Sequence, residues 1–151
     1  MGTSLWEVID ITGLRLDNRT VMPAMGTGYA SNKGEVSKRL PAYLRERAGG
    51  AGTIITEVCA VHPLGKGLRS ELGLYDDSLL PGLRSLTETV KVGGSRVAAQ
   101  LHHTGREAFR QVIGEQSMAP SSIPSRDIGQ LPCTLTMEEI AELVGCYNPG
   151  G

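Results

Sequence analysis

What the chain lacks narrows it before any motif is read. No apolar run approaches the roughly 20 residues that cross a bilayer, so no membrane association is expected. Residues 1–6 have neither a basic start nor an apolar stretch, so no secretory signal is expected. Neither charge sign dominates: 15 Lys and Arg face 16 Asp and Glu, for a net charge of −1. That balance leaves no electrostatic footprint for nucleic acid or a membrane surface. Aromatic residues are few, with one Trp, four Tyr and one Phe, so the 40% apolar content is mostly aliphatic. Cysteine is limited to Cys59, Cys133 and Cys146, an odd number set too far apart for a C-x-x-C metal pair. A reduced, cytoplasmic setting is the expectation. No Walker A sequence is present, and Gly49-Gly50-Ala51-Gly52 precedes a strand instead of opening a helix, so it is not a dinucleotide fingerprint.

What is present is an alternation. Glycine is abundant, at 20 residues, and falls mostly between periodic segments. Residues 5–15 read as a short two-stranded entry segment. Strands are predicted at about 19–24, 53–58 and 95–101, the second mostly β-branched and apolar and suited to burial on both faces. A helix is predicted over 36–48 from the spacing of Val36, Leu40, Tyr43, Leu44 and Arg47, although Pro41 disfavours a mid-helix position. A second helix is predicted with Asp77 or Ser78 as its cap, Pro81 in its first turn, Leu79, Leu83, Leu86 and Val90 as its apolar stripe, and Gly93-Gly94 as its stop. Residues 107–133 read as mostly loop. Thr136-Met137-Glu138-Glu139 is a capping box that opens a helix of about two turns, with Ile140, Leu143 and Val144 facing inward. The order β-α-β-α-β-loop-α predicts an α/β fold with a parallel sheet and right-handed crossovers.

In such a sheet the C-terminal strand ends gather on one face, which carries the chemistry. Three segments fall there. Pro23-Ala24-Met25-Gly26 is either a small-residue loop that lets a flat cofactor approach or a simple strand-ending turn. Glu57 is a catalytic carboxylate or, the favoured reading, an acceptor that fixes loop N–H groups; Val58 follows it. Gln100-Leu101-His102-His103-Thr104-Gly105-Arg106 is the richest stretch. A Gln100 amide offers both a donor and an acceptor, which suits the edge of a pyrimidine-like ring. His62 reads as a surface or loop-anchoring residue. His102 and His103 invite a metal reading, and with it a metal-dependent hydrolase, but no third ligand stands at a diagnostic spacing; a packed strand-end role is the simpler expectation, and no metal site is assigned.

Together with Leu16-Asp17-Asn18-Arg19, Tyr43-Leu44-Arg45-Glu46-Arg47-Ala48, Ile54-Ile55-Thr56-Glu57, Ala119-Pro120-Ser121-Ser122-Ile123 and Thr136-Met137-Glu138-Glu139-Ile140, these segments resemble the Old Yellow Enzyme family of flavin oxidoreductases. The likeness is greatest to the NADH:flavin oxidoreductase and 2,4-dienoyl-CoA reductase branch and runs over about residues 5–147. It implies a (β/α)8 TIM barrel that binds FMN at its C-terminal mouth, is reduced by NAD(P)H, and passes hydride from flavin N5 to an activated alkene such as an enone or enoyl thioester. Residue by residue, it implies that Pro23, Ala24, Met25 and Gly26 line the flavin, that Val58 packs near the ring where alanine or glycine is usual, and that Gln100 bonds the pyrimidine edge. His103 and Arg106 would support the loop after the third strand, and Tyr29 would lie near the substrate opening. Some members carry cysteine where Gly26 stands. The family's substrate-binding pair, proton-donating tyrosine and phosphate grip follow later strands, so no catalytic residue is assigned here. The expectation is the first three βα units of a barrel, apparently truncated. It would be incomplete for turnover, or alternatively a non-catalytic module that self-associates or is completed by another chain, with a small-molecule substrate for the parent enzyme.

Overall fold

A computed structural model describes residues 4–148. Ile9–Ile11 (β1) and Leu14–Leu16 (β2) pair antiparallel, with Ile9 opposite Leu16. Thr12 and Gly13 between them both take positive φ, the backbone a two-residue hairpin needs. Asp10 Oδ1 accepts from Gly13 N at 2.8 Å. The next segment is fastened by Asn18, whose Oδ1 accepts from Thr20 N at 3.0 Å and Gly52 N at 2.8 Å, while its Nδ2 donates to the Gly50 carbonyl at 3.3 Å. A Cβ on Gly52 would collide with the Asn18 carbonyl, so only glycine lets the two backbones approach.

Val21–Met22 (β3) is the first parallel strand, shorter than the six positions predicted. Its ladder ends at Met22 because Pro23 has no N–H to extend it. Arg39–Arg45 (α1) is likewise shorter than the predicted 36–48. Pro41 explains where it begins. As the third residue of the helix it replaces an N–H that has no acceptor within the first turn, a place where proline is tolerated. Leu40 and Leu44 face inward, at 0% and 2% exposure.

Thr53–Ala60 (β4) is the hub of the sheet. It pairs parallel with β3 through Thr53 and Ile54, and with the two-residue strand Leu72–Gly73 (β5) through Cys59 and Ala60. β5 therefore fills the edge that β3 leaves at Pro23. A 3-10 turn at Asp77–Leu79 leads into Leu80–Val92 (α2). Asp76, one residue before the predicted pair, caps the 3-10 turn, its Oδ1 accepting from Ser78 N at 2.8 Å, while Leu79 at the start of α2 makes no side-chain cap bond. Arg96–His102 (β6) then pairs parallel along the other edge of β4. Leu40, Leu44, Ile54, Cys59, Leu72, Leu86 and Val90 form the core between the two helices and the sheet. Each large aliphatic side chain there contributes about 1.5–3 kcal/mol by leaving water.

Residues 107–133 hold more structure than predicted. They include the short helix Arg110–Ile113 (α3) and the strand Met118–Ala119 (β7), which pairs parallel with Cys133–Thr134 (β8). The connection hides its own ladder because two-residue strands carry no periodicity to read. Met137–Tyr147 (α4) runs 11 residues, longer than the two turns expected. Its capping box is present: Thr136 Oγ1 accepts from Glu139 N at 3.2 Å and Glu139 Oε2 accepts from Thr136 N at 2.7 Å. The inward-facing stripe needs correction. Ile140 and Leu143 are half-buried, but Val144 is 63% exposed. With Met118, Ala119 and Leu135 they line an apolar groove of about 250 Å³ that no described element fills. Among the described residues no helix is long and apolar enough to cross a membrane.

Candidate functional site

The three long-range strands bring their carboxyl ends together: residues 23–27 after β3, 57–60 in β4, and 100–106 at the end of β6. Register decides which side chains meet. Val58 stands opposite Gln100, Cys59 opposite Leu101 and Ala60 opposite His102. Upstream, Ile55 stands opposite Ala98, so β4 carries one residue more than β6 between these pairs. The surplus is a β-bulge at Thr56-Glu57. It resets the alternation of the strand. Ile54 before it and Cys59 after it both pack into the helix-facing core, although an odd spacing would place them on opposite faces of a regular strand. Thr56 and Glu57 are adjacent and both buried, at 4% and 3% exposure.

Freed from the alternation, Glu57 reaches sideways to the loop after β3. Its Oε2 accepts from Thr27 N at 2.6 Å and from Thr27 Oγ1 at 2.5 Å, and Thr27 Oγ1 in turn accepts from Tyr29 N at 3.1 Å. The loop-fixing role expected of Glu57 is the one it plays. Its Oε1 is buried without a partner among the described residues. Burial pushes the carboxyl above the usual glutamate range, against the lowering effect of the two bonds from Thr27. Just beyond, Cys59 is buried and its thiol is pushed up to about 11, burial being the largest cause. It donates to the Glu57 carbonyl at 3.3 Å, so it is a packed thiol and not a nucleophile.

Glu71, unremarked in the sequence, ties the long loop after β4 to the end of β6. It is 2% exposed. Oε2 accepts from Gly67 N at 2.8 Å and Leu68 N at 3.0 Å, and Oε1 meets His102 Nδ1 at 3.0 Å. Lys66, also buried, donates to the carbonyls of Asn32 and Arg69, both at 2.8 Å. His103 turns elsewhere: its Nδ1 accepts from Gly105 N at 3.0 Å and its ring lies flush on Gly65, where a Cβ would stand 2.5 Å from it. An accepting Nδ1 places the ring proton on Nε2, and burial, then the neighbouring His62 and His102, hold the pKa below the ordinary value. His62 Nδ1 accepts from Leu64 N at 3.2 Å and anchors its loop. The two adjacent histidines thus diverge to separate partners, and among the described residues no group of three or more His, Cys, Asp or Glu is placed to hold a metal ion.

The sequence-predicted site residues lie as follows. Pro23, Met25, Gly26 and Gln100 are exposed; Ala24 and Val58 are half-buried. Val58 and Gln100 are side by side through their register, and the 23–26 loop is brought to them by the bond from Thr27 to Glu57. His103 and Arg106 do support the loop that follows β6, Arg106 Nη1 donating to the Ile123 carbonyl at 3.4 Å. Tyr29 is different. Its ring meets Tyr43 of α1 edge-on at 5.8 Å and carries the Arg39 guanidinium at 4.0 Å, so it packs on that helix. Glu71 and Lys66 escaped sequence reading; loop polar residues give no periodic signal, and only their burial marks them.

A model of the NADH:flavin oxidoreductase / NADH oxidase family matches residues 4–149. A metal reductase from Desulforamulus reducens is 40% identical over 144 residues, covering 95% of this chain and 21% of that protein. The structure of a 2-naphthoyl-CoA reductase with 2-naphthoyl-CoA superposes with a TM-score of 0.89 at 29% identity, over 95% of this chain and 24% of the other. An old yellow enzyme homologue from Zymomonas mobilis superposes at 0.87 and 27% identity, over 96% and 43%. The chain therefore spans about a fifth of that curated relative and less than half of either structure. The parallel sheet around β4 is that of a partial barrel of that fold.

Proposed function

Since the chain belongs to the NADH:flavin oxidoreductase / NADH oxidase family, whose cofactor is FMN and whose reductant is NAD(P)H, we propose that it forms the flavin-edge part of an enzyme reducing an electron-poor alkene, such as an enone or an enoyl thioester. The observation that carries this reading is the convergence of the 23–26 loop, Val58 and Gln100, joined by the Thr27–Glu57 bond. The residues fit a flat cofactor. Ala24 and Gly26 are small, Gly26 meeting no more than a Leu68 methyl even with a Cβ added, and Gln100 is an exposed amide that supplies both a donor and an acceptor. Pro23, Ala24, Met25 and Gly26 would lie along one edge of the ring, Gln100 would bond its pyrimidine side and Val58 would pack beneath it. When bound, FMN supplies the relay of hydride between nicotinamide and alkene. The protein's share is to hold the ring edge, orient it and keep water off it. The 2-naphthoyl-CoA in a similar structure supports a thioester as the substrate class. No residue described here is assigned to proton transfer.

The test is the visible spectrum of the purified chain after addition of FMN and gel filtration. A retained flavin band, shifted from that of free FMN, is the expected result and should be lost on Gln100→Ala. A colourless protein peak overturns the reading for this chain.

A second reading has its own observation. The outer edge of β6 has no strand partner among the described residues, and Leu101 on that strand is 45% exposed. An open edge is a template for pairing, so the chain would also act as a self-associating or completed half-barrel. Light scattering that gives a compact monomer at all concentrations sinks it.

A further inference from the structure

We infer that Glu57 is a positioning residue of the flavin site: through Thr27 it sets the loop at residues 23–26 against the Val58–Gln100 pair, and so fixes the geometry of the ring edge. This rests on the flavin reading above. Three observations carry it. β4 bulges at Thr56-Glu57, and the Glu57 carboxyl at that bulge is bonded to the loop after β3. One oxygen, Oε2, receives both the N–H and the hydroxyl of Thr27, the residue that directly follows the loop. The residue after Glu57 is Val58, whose register partner is Gln100. One buried residue therefore links the three segments, its side chain bonded to the loop and its chain neighbour Val58 in register with Gln100, while only 3% of its surface is exposed.

The second oxygen is free to carry a proton. Oε1 is buried and unpartnered among the described residues, and burial favours the neutral acid. A proton on Oε1 neutralises the group without disturbing either bond from Thr27. A glutamine has the same shape and the same single acceptor, so it should replace Glu57 in this role, whereas an alanine should not.

The test compares Glu57→Gln, Glu57→Ala and Thr27→Val, alone and as the Glu57→Ala/Thr27→Val pair. It uses FMN affinity by fluorescence titration, the position of the bound flavin's visible band, and exchange protection of the Thr27 amide. Glu57→Ala should weaken FMN by about tenfold or more, the scale of losing hydrogen bonds to a buried carboxyl. It should also shift the band and expose the Thr27 amide. Glu57→Gln should restore affinity, band and protection. The double variant should lose less than the product of the single losses, since both remove the same bond. Unchanged affinity and band in Glu57→Ala, or additive losses in the pair, overturn the inference. If Glu57→Ala does not fold, Thr27→Val decides: a weaker, shifted flavin in a protein of unchanged thermal stability supports it, and an unshifted flavin overturns it. If the parent chain retains no FMN, the function reading fails by itself. Amide protection then still judges the clamp: Thr27 exchanging equally fast in the parent and in Glu57→Ala overturns it.

Discussion

Glu57 shows how a single buried carboxyl leaves a signature in bulk stability. Its pKa is raised in the folded chain, with burial the first cause and the two Thr27 bonds opposing. A folded state that keeps a proton the unfolded state would release is favoured at low pH. The contribution is fully present below the ordinary glutamate pKa of about 4.3 and is lost as pH rises through the raised value. Other carboxylates titrate in the same range, so the readout is a difference. The stability of the parent minus that of Glu57→Gln, from urea unfolding at a series of pH values, should fall as pH increases from about 4 to 8. A flat difference would mean that Glu57 ionises in the fold as it does in the unfolded chain. Gly65 marks another limit at this scale. It is buried because the His103 ring occupies the space a side chain would need, and no pattern in the sequence announces that pairing.

Among the elements, α4 is the one whose start the sequence specified in full. Thr136 and Glu139 stand at the capping-box spacing, and both bonds form. Thr136→Ala should cost about 1 kcal/mol, read as a lower melting temperature, with exchange quickening in the first turn of α4 and not in α2. The other elements show why sequence legibility varied. Helices α1 and α2 were located from their apolar spacing, but their first residues were not, because Pro41 acts by lacking a backbone donor and Asp76 by accepting one ahead of a 3-10 turn, neither of which shows in periodicity. Strands β3, β4 and β6 were visible as apolar runs; β5, β7 and β8 were not, since two residues carry no period. The bulge was invisible for a related reason. A buried strand with apolar residues on both faces gives no alternation to break, so the extra residue at Thr56-Glu57 appears only when β4 is aligned against β6. At the site, the loop-fixing role of Glu57 was legible because a carboxylate inside an apolar run needs donors. The identity of its donor, Thr27, was not legible, because it depends on how residues 23–27 fold back.

At the scale of the whole molecule, the layout is one of distant partners held by a central strand. β3, β5 and β6 all pair with β4, and each meets it in parallel across an intervening loop or helix. The sequence predicted the alternation and the parallel sheet, and the motifs identified the family; which edge of β4 each partner takes is a property of the assembled chain.

The hub has a consequence in time as well as in space. None of the three partners joins β4 through a tight hairpin, and the longest ladder, with β6, forms only after the loop and helix between them have been ordered, so such pairings are slow. The helices can fluctuate into shape early, but the rate of acquiring the fold belongs to β4. Ile54, fully buried near its start and paired with both β3 and β6, is the position to probe. Ile54→Val should remove about 0.5–1.5 kcal/mol, and most of that loss should appear in stopped-flow experiments as slower refolding. Thr136→Ala, on a helix outside the sheet, should instead speed unfolding. The strand that organises the site would then also be the chain's clock.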